Sequence, residues 1–298
     1  MTVPRLETHN LTHAFDGRQV VRNISLSIAP GQVTSLLGPS GCGKSTTLRI
    51  IAGIERPDAG EVYLDGELVC GPSRHMPPEA RGIGLMFQDF ALFPHLSVGD
   101  NVAFGLRGPT REKGPIVEKM LQRVSMVSYA NRYPHELSGG EQQRIALARA
   151  LAPAPKVMLM DEPFSGLDNR LRDDIRDETL ALLKEDGAGV LLVTHEPDEA
   201  MRMSDEIALM RGGRIIQQGA PYNLYNSPKD KEAAAFFSDI EVVAGTVKAA
   251  LVQTAFGPFL TPGLQDGTEV EIAIRPQHIK IDFDRSGKGP NPTPQDGT

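Results

Sequence analysis

The first third of the chain alternates short apolar and polar stretches, a pattern that predicts strands. Residues 5–37 carry several such stretches, and Asp16-Gly17 marks a turn between two of them. Residues 61–64, followed by Asp65-Gly66, predict a hairpin for the same reason. The N-terminal part therefore combines antiparallel strands with other elements.

Longer apolar runs alternate with amphipathic stretches further along the chain. The runs predict buried strands and the amphipathic stretches predict helices, and this alternation is typical of an α/β fold with a parallel sheet covered by helices. The predicted strands are 33–37, 82–88, 157–160 and 190–194, and the predicted helices are 46–53, 140–151 and 170–185.

Polar residues follow several of these strands. Gln88, Asp161, Glu162 and His195 each stand where a predicted strand ends. Because parallel sheets place ligands at the carboxyl ends of their strands, we expect these side chains to meet at one sheet edge.

Loop and helix patterns fill the region from about residue 89 to 155. Residues 107–115 are rich in Gly, Pro and charge, which predicts an exposed connector. Residues 89–95 hold apolar side chains in a predicted loop, which is typical either of a buried anchor or of a contact surface.

The pattern changes near residue 238. Short alternating strands between 242 and 281 are separated by Gly-Pro, Pro-Gly and Asp-Gly turns, which predicts a small all-β module. We expect the polar stretch 284–298 to be disordered, because it lacks apolar periodicity.

Composition narrows the classes of protein. The chain has 298 residues, a net charge of −7 and a pI of about 5.6, and this acidic balance argues against nucleic-acid binding. Its two cysteines form neither a disulfide framework nor a metal motif, which fits a reducing compartment. No apolar run is long enough to span a bilayer and no signal-peptide pattern occurs, so we expect a cytosolic protein.

Residues 38–45 match the phosphate-binding pattern G-x-x-x-x-G-K-[ST] between a predicted strand and a predicted helix. Glycines let successive backbone N–H groups approach phosphate oxygens, and the following helix adds its positive N-terminus. Lys44 is positioned to reach the β- and γ-phosphates, and the Ser45 hydroxyl to bind Mg²⁺. The alternative, a chance Gly-rich turn, does not account for the agreement of pattern and context.

The carboxylates after the third predicted strand suggest hydrolytic chemistry. Asp161 suits Mg²⁺ binding and Glu162 suits activation of water as a general base. His195 could link the γ-phosphate to that water, and Gln88 could sense Mg²⁺ and the γ-phosphate. Without the phosphate-binding loop, the two carboxylates would be interpreted as solvated turn residues.

A second Gly-rich segment, Leu137-Ser138-Gly139-Gly140-Glu141, completes a recognisable series. Together with the phosphate-binding loop, Gln88, Asp161-Glu162, residues 165–168 and His195, it occurs in the order found in one family. From about residue 6 to 235, the chain resembles the nucleotide-binding subunit of ABC transporters.

This resemblance implies a P-loop NTPase core with an antiparallel β-subdomain and a helical subdomain at about 89–155. It also implies a head-to-tail homodimer with each ATP between the phosphate-binding loop of one subunit and residues 138–141 of the other. Phe15 would stack on adenine, although an aromatic residue in a strand is more often part of a core. The implied ATP-binding residues are Phe15, Gly38, Pro39, Ser40, Gly41, Cys42, Gly43, Lys44, Ser45, Thr46, Ser138, Gly139, Gly140, Glu141 and Asp168.

The same resemblance assigns the remaining roles. Asp168 would communicate between the two ATP sites, and Ser45, Gln88 and Asp161 would hold Mg²⁺. Catalysis would involve Lys44, Gln88, Glu162 and His195. Residues 89–95 correspond to the segment that contacts the membrane subunit in such transporters.

The C-terminal module resembles a short, OB-like TOBE domain, which is typical of bacterial importer ATPases. The expected domains are 1–237 for the ATPase and 238–283 for the TOBE-like module. The expected partners are an integral membrane permease and, indirectly, a periplasmic solute-binding protein, with no nucleic acid. The expected location is the cytoplasmic face of the inner membrane.

Residues 86–98 and 161–168 are most similar to ferric-iron importer ATPases, while sulfate, polyamine and sugar importers share much of both segments. Two other functions compete with transport. A non-transport ATPase of the same superfamily would typically carry a second ATPase half, a coiled coil or a basic face. A regulatory module that barely hydrolyses ATP would not need both Glu162 and His195.

Overall fold

The computed structural model describes residues 3–167 and 169–279. Within them the chain forms two compact units, the first reaching Pro221 and the second beginning at Tyr222. The predicted tail 284–298 and Asp168 lie outside the described residues. No helix in the described ranges is both long and apolar enough to cross a bilayer.

An antiparallel sheet occupies the N-terminal part of the first unit. Its strand order is β2-β1-β4-β5-β6. The bounds are Leu6–Phe15 for β1, Arg18–Ile28 for β2, Ala59–Leu64 for β4, Glu67–Gly71 for β5 and Arg74–His75 for β6. The turns at Asp16-Gly17 and Asp65-Gly66 have positive φ at all four residues, as short hairpin connections require. The predicted turn at Asp16-Gly17 and the predicted hairpin at 61–66 are therefore confirmed.

A six-stranded sheet forms the centre of the first unit, in the order β11-β10-β3-β9-β8-β7. The strands from β10 to β7 pair in parallel, while β11 pairs antiparallel with β10. Their bounds are Val33–Leu37 for β3, Ile83–Met86 for β7, Val157–Asp161 for β8, Gly189–Thr194 for β9, Glu206–Arg211 for β10 and Arg214–Gly219 for β11. Strands β3, β8 and β9 are buried throughout, as their continuous apolar runs predict.

In the described part of the first unit, six α-helices accompany this sheet. They are α1 (Lys44–Ala52), α2 (Val98–Ala103), α3 (Thr110–Arg123), α4 (Gly139–Leu151), α5 (Asn169–Asp186) and α6 (Pro197–Met203). Helix α2 packs against α3 and α4, and apolar residues from all three belong to one buried cluster with β8 and β9. Strands β3, β8 and β9 are parallel, so the loops that connect them to α1, α5 and α6 all lie at the same edge of the sheet.

The predicted connector at 107–115 is wrong in its second half, because α3 begins at Thr110 and contains Pro115. Pro115 has no backbone N–H, so the helix loses one hydrogen bond there. The loss occurs at the sixth of its 14 residues, near the N-terminus. Burial of Met120 and Leu121 against neighbouring elements offsets that cost.

The second unit contains helices and short strands. Helix α7 spans Pro221–Asn226, α8 spans Lys231–Phe237, and the strands are β12 (Glu241–Thr246), β13 (Leu251–Thr254), β14 (Gly257–Leu260) and β15 (Glu269–Ile274). Strand β12 pairs antiparallel with β15, and β13 with β14. The predicted all-β module is present. Both helices contact it: the guanidinium of Arg275 lies over the ring of Tyr225 in α7, and Lys231 in α8 donates to Glu271. The domain boundary expected at residue 237 stays a prediction.

Candidate nucleotide site

The phosphate-binding loop joins β3 to α1 and is held closely between two strands. A Cβ atom at Gly38 would collide with the carbonyl oxygen of Met210 in β10, and one at Gly43 with that of Val20 in β2. Gly43 also has φ of 106°, a conformation that L side chains rarely adopt. Packing and backbone geometry therefore both require glycine at these two positions.

Lys44 is the first residue of α1 and is almost completely buried. Its Nζ donates hydrogen bonds to the carbonyl oxygens of Gly38 at 2.7 Å and Pro39 at 3.0 Å. These contacts hold the ammonium group over the loop. An ammonium group has three N–H donors, so a third remains for a phosphate oxygen.

Ser45 and Asp161 place two oxygen ligands side by side. The Ser45 hydroxyl donates to Asp161 Oδ1 at 2.9 Å, joining α1 to the end of β8. Burial raises the pKa of the Asp161 carboxyl, and the neighbouring Glu162 adds to this effect. A divalent cation would offset the cost of this buried carboxylate, and the hard oxygen ligands fit Mg²⁺.

Glu162 has an unusual backbone conformation for a non-glycine residue, with φ of 46°. Its N–H donates to Val193 O at 2.9 Å, and its carbonyl oxygen accepts from the backbone N–H and hydroxyl of Ser165. Backbone strain of this kind persists where surrounding contacts fix it, often at functional sites. Here it sets the direction of the carboxylate.

His195 lies next to that carboxylate. Its Nδ1 is 3.0 Å from Glu162 Oε1. The structure thus joins the ends of β8 and β9 through the two residues that the sequence assigned to hydrolysis.

A cavity of about 210 Å³ contains the loop and the carboxylate. Phe15 borders it with its ring almost half exposed. His13 meets the ring of Phe15 edge-on, with centroids 4.6 Å apart. The lining residues are Phe15, Val20, Ser40, Gly41, Gly43, Lys44, Ser45, Thr46 and Glu162.

Gln88 is less closely placed. It lies exposed in the turn that follows β7, on the same sheet edge but outside the cavity lining. The predicted strand 82–88 ends earlier, at Met86, so Gln88 belongs to a turn and not to a strand end.

The second Gly-rich segment forms the start of α4. The Ser138 side chain accepts from the Glu141 N–H, while the Glu141 carboxylate accepts from both the N–H and the hydroxyl of Ser138. These bonds lower the pKa of Glu141, with the Ser138 backbone as the main cause. Ser138, Gly140 and Glu141 border a different cavity, of about 470 Å³, from the one at the phosphate-binding loop.

The structure therefore divides the expected site into two parts. Residues 38–46, Asp161, Glu162 and His195 meet at one edge of the central sheet, and Phe15 of the antiparallel sheet borders the same cavity. Ser138, Gly139, Gly140 and Glu141 lie elsewhere in the fold. His13, which supports Phe15, was missed by the sequence analysis. Its position two residues before Phe15 on a strand, and so on the same face, could have revealed it.

Fold and site together define an ATP-binding P-loop protein of the α/β class. The model of the ABC transporter family matches residues 21–165. The chain belongs to the ATP-binding subunits of ABC transporters, and it is the ATPase of a bacterial ABC importer.

Two curated relatives are similar over most of the chain. "Fe(3+) ions import ATP-binding protein FbpC" of Haemophilus influenzae is 45% identical, covering 93% of this chain and 81% of its own. "Putrescine transport ATP-binding protein PotG" of Escherichia coli is 41% identical, covering 93% and 76%. Among solved structures, the dimeric post-hydrolysis state of the ATP-binding cassette MJ0796 bound to ADP and Pi matches with a TM-score of 0.65 and 32% identity. It covers 72% of this chain and 98% of that one.

Proposed function

We propose that this importer ATPase hydrolyses Mg²⁺-bound ATP between two head-to-tail copies and thereby drives uptake of ferric iron through a separate permease. The observation that carries the catalytic part is the meeting of Lys44, Ser45, Asp161, Glu162 and His195 at one sheet edge. Hydrogen-bond distances of 2.9 Å and 3.0 Å join four of these residues in pairs.

The phosphate-binding loop and Phe15 hold the nucleotide. Backbone N–H groups of residues 38–46 surround the phosphates, and the N-terminus of α1 adds a favourable dipole. The exposed face of Phe15 stacks on adenine, while His13 packs against its edge. Lys44 donates its third N–H to a phosphate oxygen.

Ser45, Asp161 and Gln88 are the residues that would hold Mg²⁺. The cation supplies charge neutralisation for the phosphates when it is bound. Ser45 and Asp161 already lie in contact, whereas Gln88 in its exposed turn must approach from the end of β7.

Glu162 accepts the proton of the attacking water, and His195 orients it. His195 Nδ1 lies 3.0 Å from Glu162 Oε1, which leaves Nε2 of the ring available to a phosphate oxygen or water. The left-handed backbone of Glu162 fixes the carboxylate in this place. Removal of its charge therefore removes the base without changing the phosphate-binding loop.

A second copy of the chain completes the site. Ser138, Gly140 and Glu141 border a cavity distinct from that of the phosphate-binding loop, so one chain alone does not bring this segment to its own nucleotide. The relative MJ0796 forms a dimer with ADP and Pi. Ser138 and Gly140 would then bind the γ-phosphate of the partner subunit, and Asp168 would connect the two sites.

The partners are membrane permease subunits and, through them, a periplasmic solute-binding protein. Support comes from the segment 89–95, where the ring of Phe93 contacts that of Phe104, at the end of α2, with centroids 4.2 Å apart; Phe104 is 60% exposed. An exposed aromatic side chain such as Phe104, backed by the half-buried Phe93, suits docking to an apolar partner. Such docking would hold the chain at the cytoplasmic face of the inner membrane. The proposed TOBE-like module, residues 238–283, follows the ATPase domain along the sequence.

Ferric iron is the proposed cargo because the relative named for Fe(3+) import is 45% identical over most of both chains. Polyamines are the second candidate, because the putrescine relative is 41% identical. The cargo passes through other subunits, so the residues of this chain do not select it directly.

Uptake by the reconstituted complex tests this function. The chain is assembled with its permease and solute-binding protein, and ATP-dependent uptake of ferric iron is compared with that of putrescine, sulfate and sugars. We expect iron uptake, and we expect Lys44→Ala and Glu162→Gln to abolish it. Uptake of another solute would overturn the cargo alone, and uptake with an active Glu162→Gln variant would overturn the catalytic assignment.

A further inference from the structure

Four ionisable residues of α5, α6 and the turn before α6 form a cluster beside the catalytic pair, here called the α5–α6 ion cluster. They are Arg172 and Arg176 of α5, Glu196 in the turn before α6, and Glu199 within α6. Arg172 Nη1 donates to both Glu196 oxygens at 2.9 Å and 3.0 Å, and Arg176 Nη2 donates to Glu196 at 2.9 Å. Two guanidinium groups therefore hold one carboxylate.

One end of the cluster reaches the segment after Glu162. Arg172 Nη2 donates to the carbonyl oxygen of Leu167 at 3.2 Å, and the guanidinium of Arg176 lies 5.8 Å from the ring centroid of Phe164. Phe164 is fully buried two residues after Glu162. The cluster is thereby tied to the chain that leaves β8.

The other end holds the turn that carries His195. The Thr194 hydroxyl donates to Glu199 at 2.8 Å and accepts from the backbone N–H of Glu196 at 3.0 Å. His195 stands between these two anchored residues. Its own side chain is 41% exposed, so packing alone does not fix it.

Burial of these charges is not an efficient way to stabilise a fold. The side chains of Arg176 and Glu199 are 6% and 3% exposed. Within the described residues, Arg172 Nε, Arg176 Nε and Glu199 Oε1 are buried without a hydrogen-bond partner. Desolvation of buried charges commonly cancels their attraction, so an apolar contact would serve stability at least as well.

We propose that the α5–α6 ion cluster positions His195 against Glu162, with Arg172 and Glu196 as the positioning residues. The cluster joins the segment after Glu162 to the turn that carries His195, and so maintains the contact between the two side chains. This inference rests on the proposed roles of Glu162 and His195. We expect the cluster to affect kcat and not KM for ATP, because none of its four residues lines the nucleotide cavity.

The test uses Glu196→Gln, Arg172→Gln and the double variant in the full chain, assembled with its permease. We expect each single variant to lower kcat roughly tenfold with KM for ATP unchanged, because small misplacements of reacting groups are costly. Since both residues act through one contact, the double variant should lose no more than the worse single variant. Nucleotide-binding stoichiometry reports the folded fraction and separates misplacement from unfolding.

Arg202→Gln is the matched control. Arg202 joins the same two helices through Asp173 and Asp177, but its side chain is 42% exposed and its partners do not flank His195. It should keep kcat within twofold. The proposal is overturned if Glu196→Gln and Arg172→Gln also stay within twofold, if their losses multiply in the double variant, or if Arg202→Gln loses as much.

Glu162→Gln and His195→Ala, measured in the same assay, separate this inference from the proposed function. If both retain hydrolysis, the catalytic assignment itself fails. If both lose it while the cluster variants do not, only the positioning role fails. Should Glu196→Gln not fold, Arg172→Lys preserves the charge, and its expected partial loss of kcat tests the same contact.

Discussion

Glu199 shows how burial changes the chemistry of a single residue. It is 2% exposed, and desolvation raises the pKa of its carboxyl from 4.5 to about 7, against the opposing hydrogen bond from Thr194 and the charge of Arg176. The other charged groups facing it are Glu196, which adds to the rise, and Arg172, which opposes it. Because the folded state favours its neutral form, Glu199 stabilises the fold at low pH. This contribution is complete below about pH 4.5 and is lost as the pH rises through about 7.

Glu199→Gln should therefore change the pH dependence of stability. At pH 5 the variant and the parent both carry a neutral group, whereas at pH 8 only the parent must bury a charge. The free energy of unfolding of the variant should gain about 2 kcal/mol on the parent between these two pH values. Urea denaturation at both values measures this gain.

Asp198→Asn is the control for that experiment, because Asp198 is exposed in the same helix. It should show no comparable gain. A Glu199→Gln variant that follows the parent at both pH values would contradict the raised pKa.

Helix α1 shows how a distant element can support the phosphate-binding loop. Its N-terminus carries the loop, and its C-terminus is closed by Arg81, which comes from the chain before β7. Arg81 Nη1 donates to the carbonyl oxygens of Ile50 at 3.0 Å and Ile51 at 2.6 Å, and its Nε donates to Met76 O at 2.9 Å. Burial lowers the pKa of this guanidinium, but a cation at a helix C-terminus remains favourable.

Arg81→Met should destabilise the fold by about 1–3 kcal/mol, because the Ile51 carbonyl oxygen loses its donor, whereas that of Ile50 keeps the N–H of Gly53. Urea denaturation with an unchanged slope measures this loss. Arg74→Met is the matched control, since Arg74 forms an exposed pair with Glu67 and should change stability by less than about 0.5 kcal/mol. Equal effects of the two substitutions would show that Arg81 does not close the helix.

At the scale of the whole molecule, the division of the site between two regions predicts a dimer that depends on nucleotide. Glu162→Gln should bind ATP and Mg²⁺ without hydrolysing the bound ATP, because only the base is lost. We expect this variant to accumulate as a closed dimer when ATP and Mg²⁺ are added. Light scattering after gel filtration measures the mass of the dimer.

Ser138→Arg in the same background is the control. It should remain monomeric, because a bulky side chain at the start of α4 would obstruct the partner's phosphates. Dimers formed equally well with and without this substitution would place the interface elsewhere.

The sequence predicted the central sheet and the phosphate-binding loop well, because each rests on local patterns. Buried parallel strands such as β8 produce continuous apolar runs, and the loop has a fixed spacing. Such patterns did not predict that α3 begins at Thr110, because the glycines and prolines of residues 107–115 indicate a connector. Tertiary packing overrides this local preference. Local patterns also missed the α5–α6 ion cluster, because Arg172 and Glu196 are far apart in sequence and charged helix residues are usually solvated.

The close packing of Gly38 and Gly43 has a consequence for comparing this chain with other sequences. Their Cβ positions are closed by backbone oxygens of β10 and β2, which are present whether or not ATP is cleaved. A descendant that had lost all catalysis would still need both glycines simply to fold. Glycine at these two positions therefore indicates the fold and not the activity. A homologue that has lost catalysis would be recognised by changes at Lys44 and Glu162 instead.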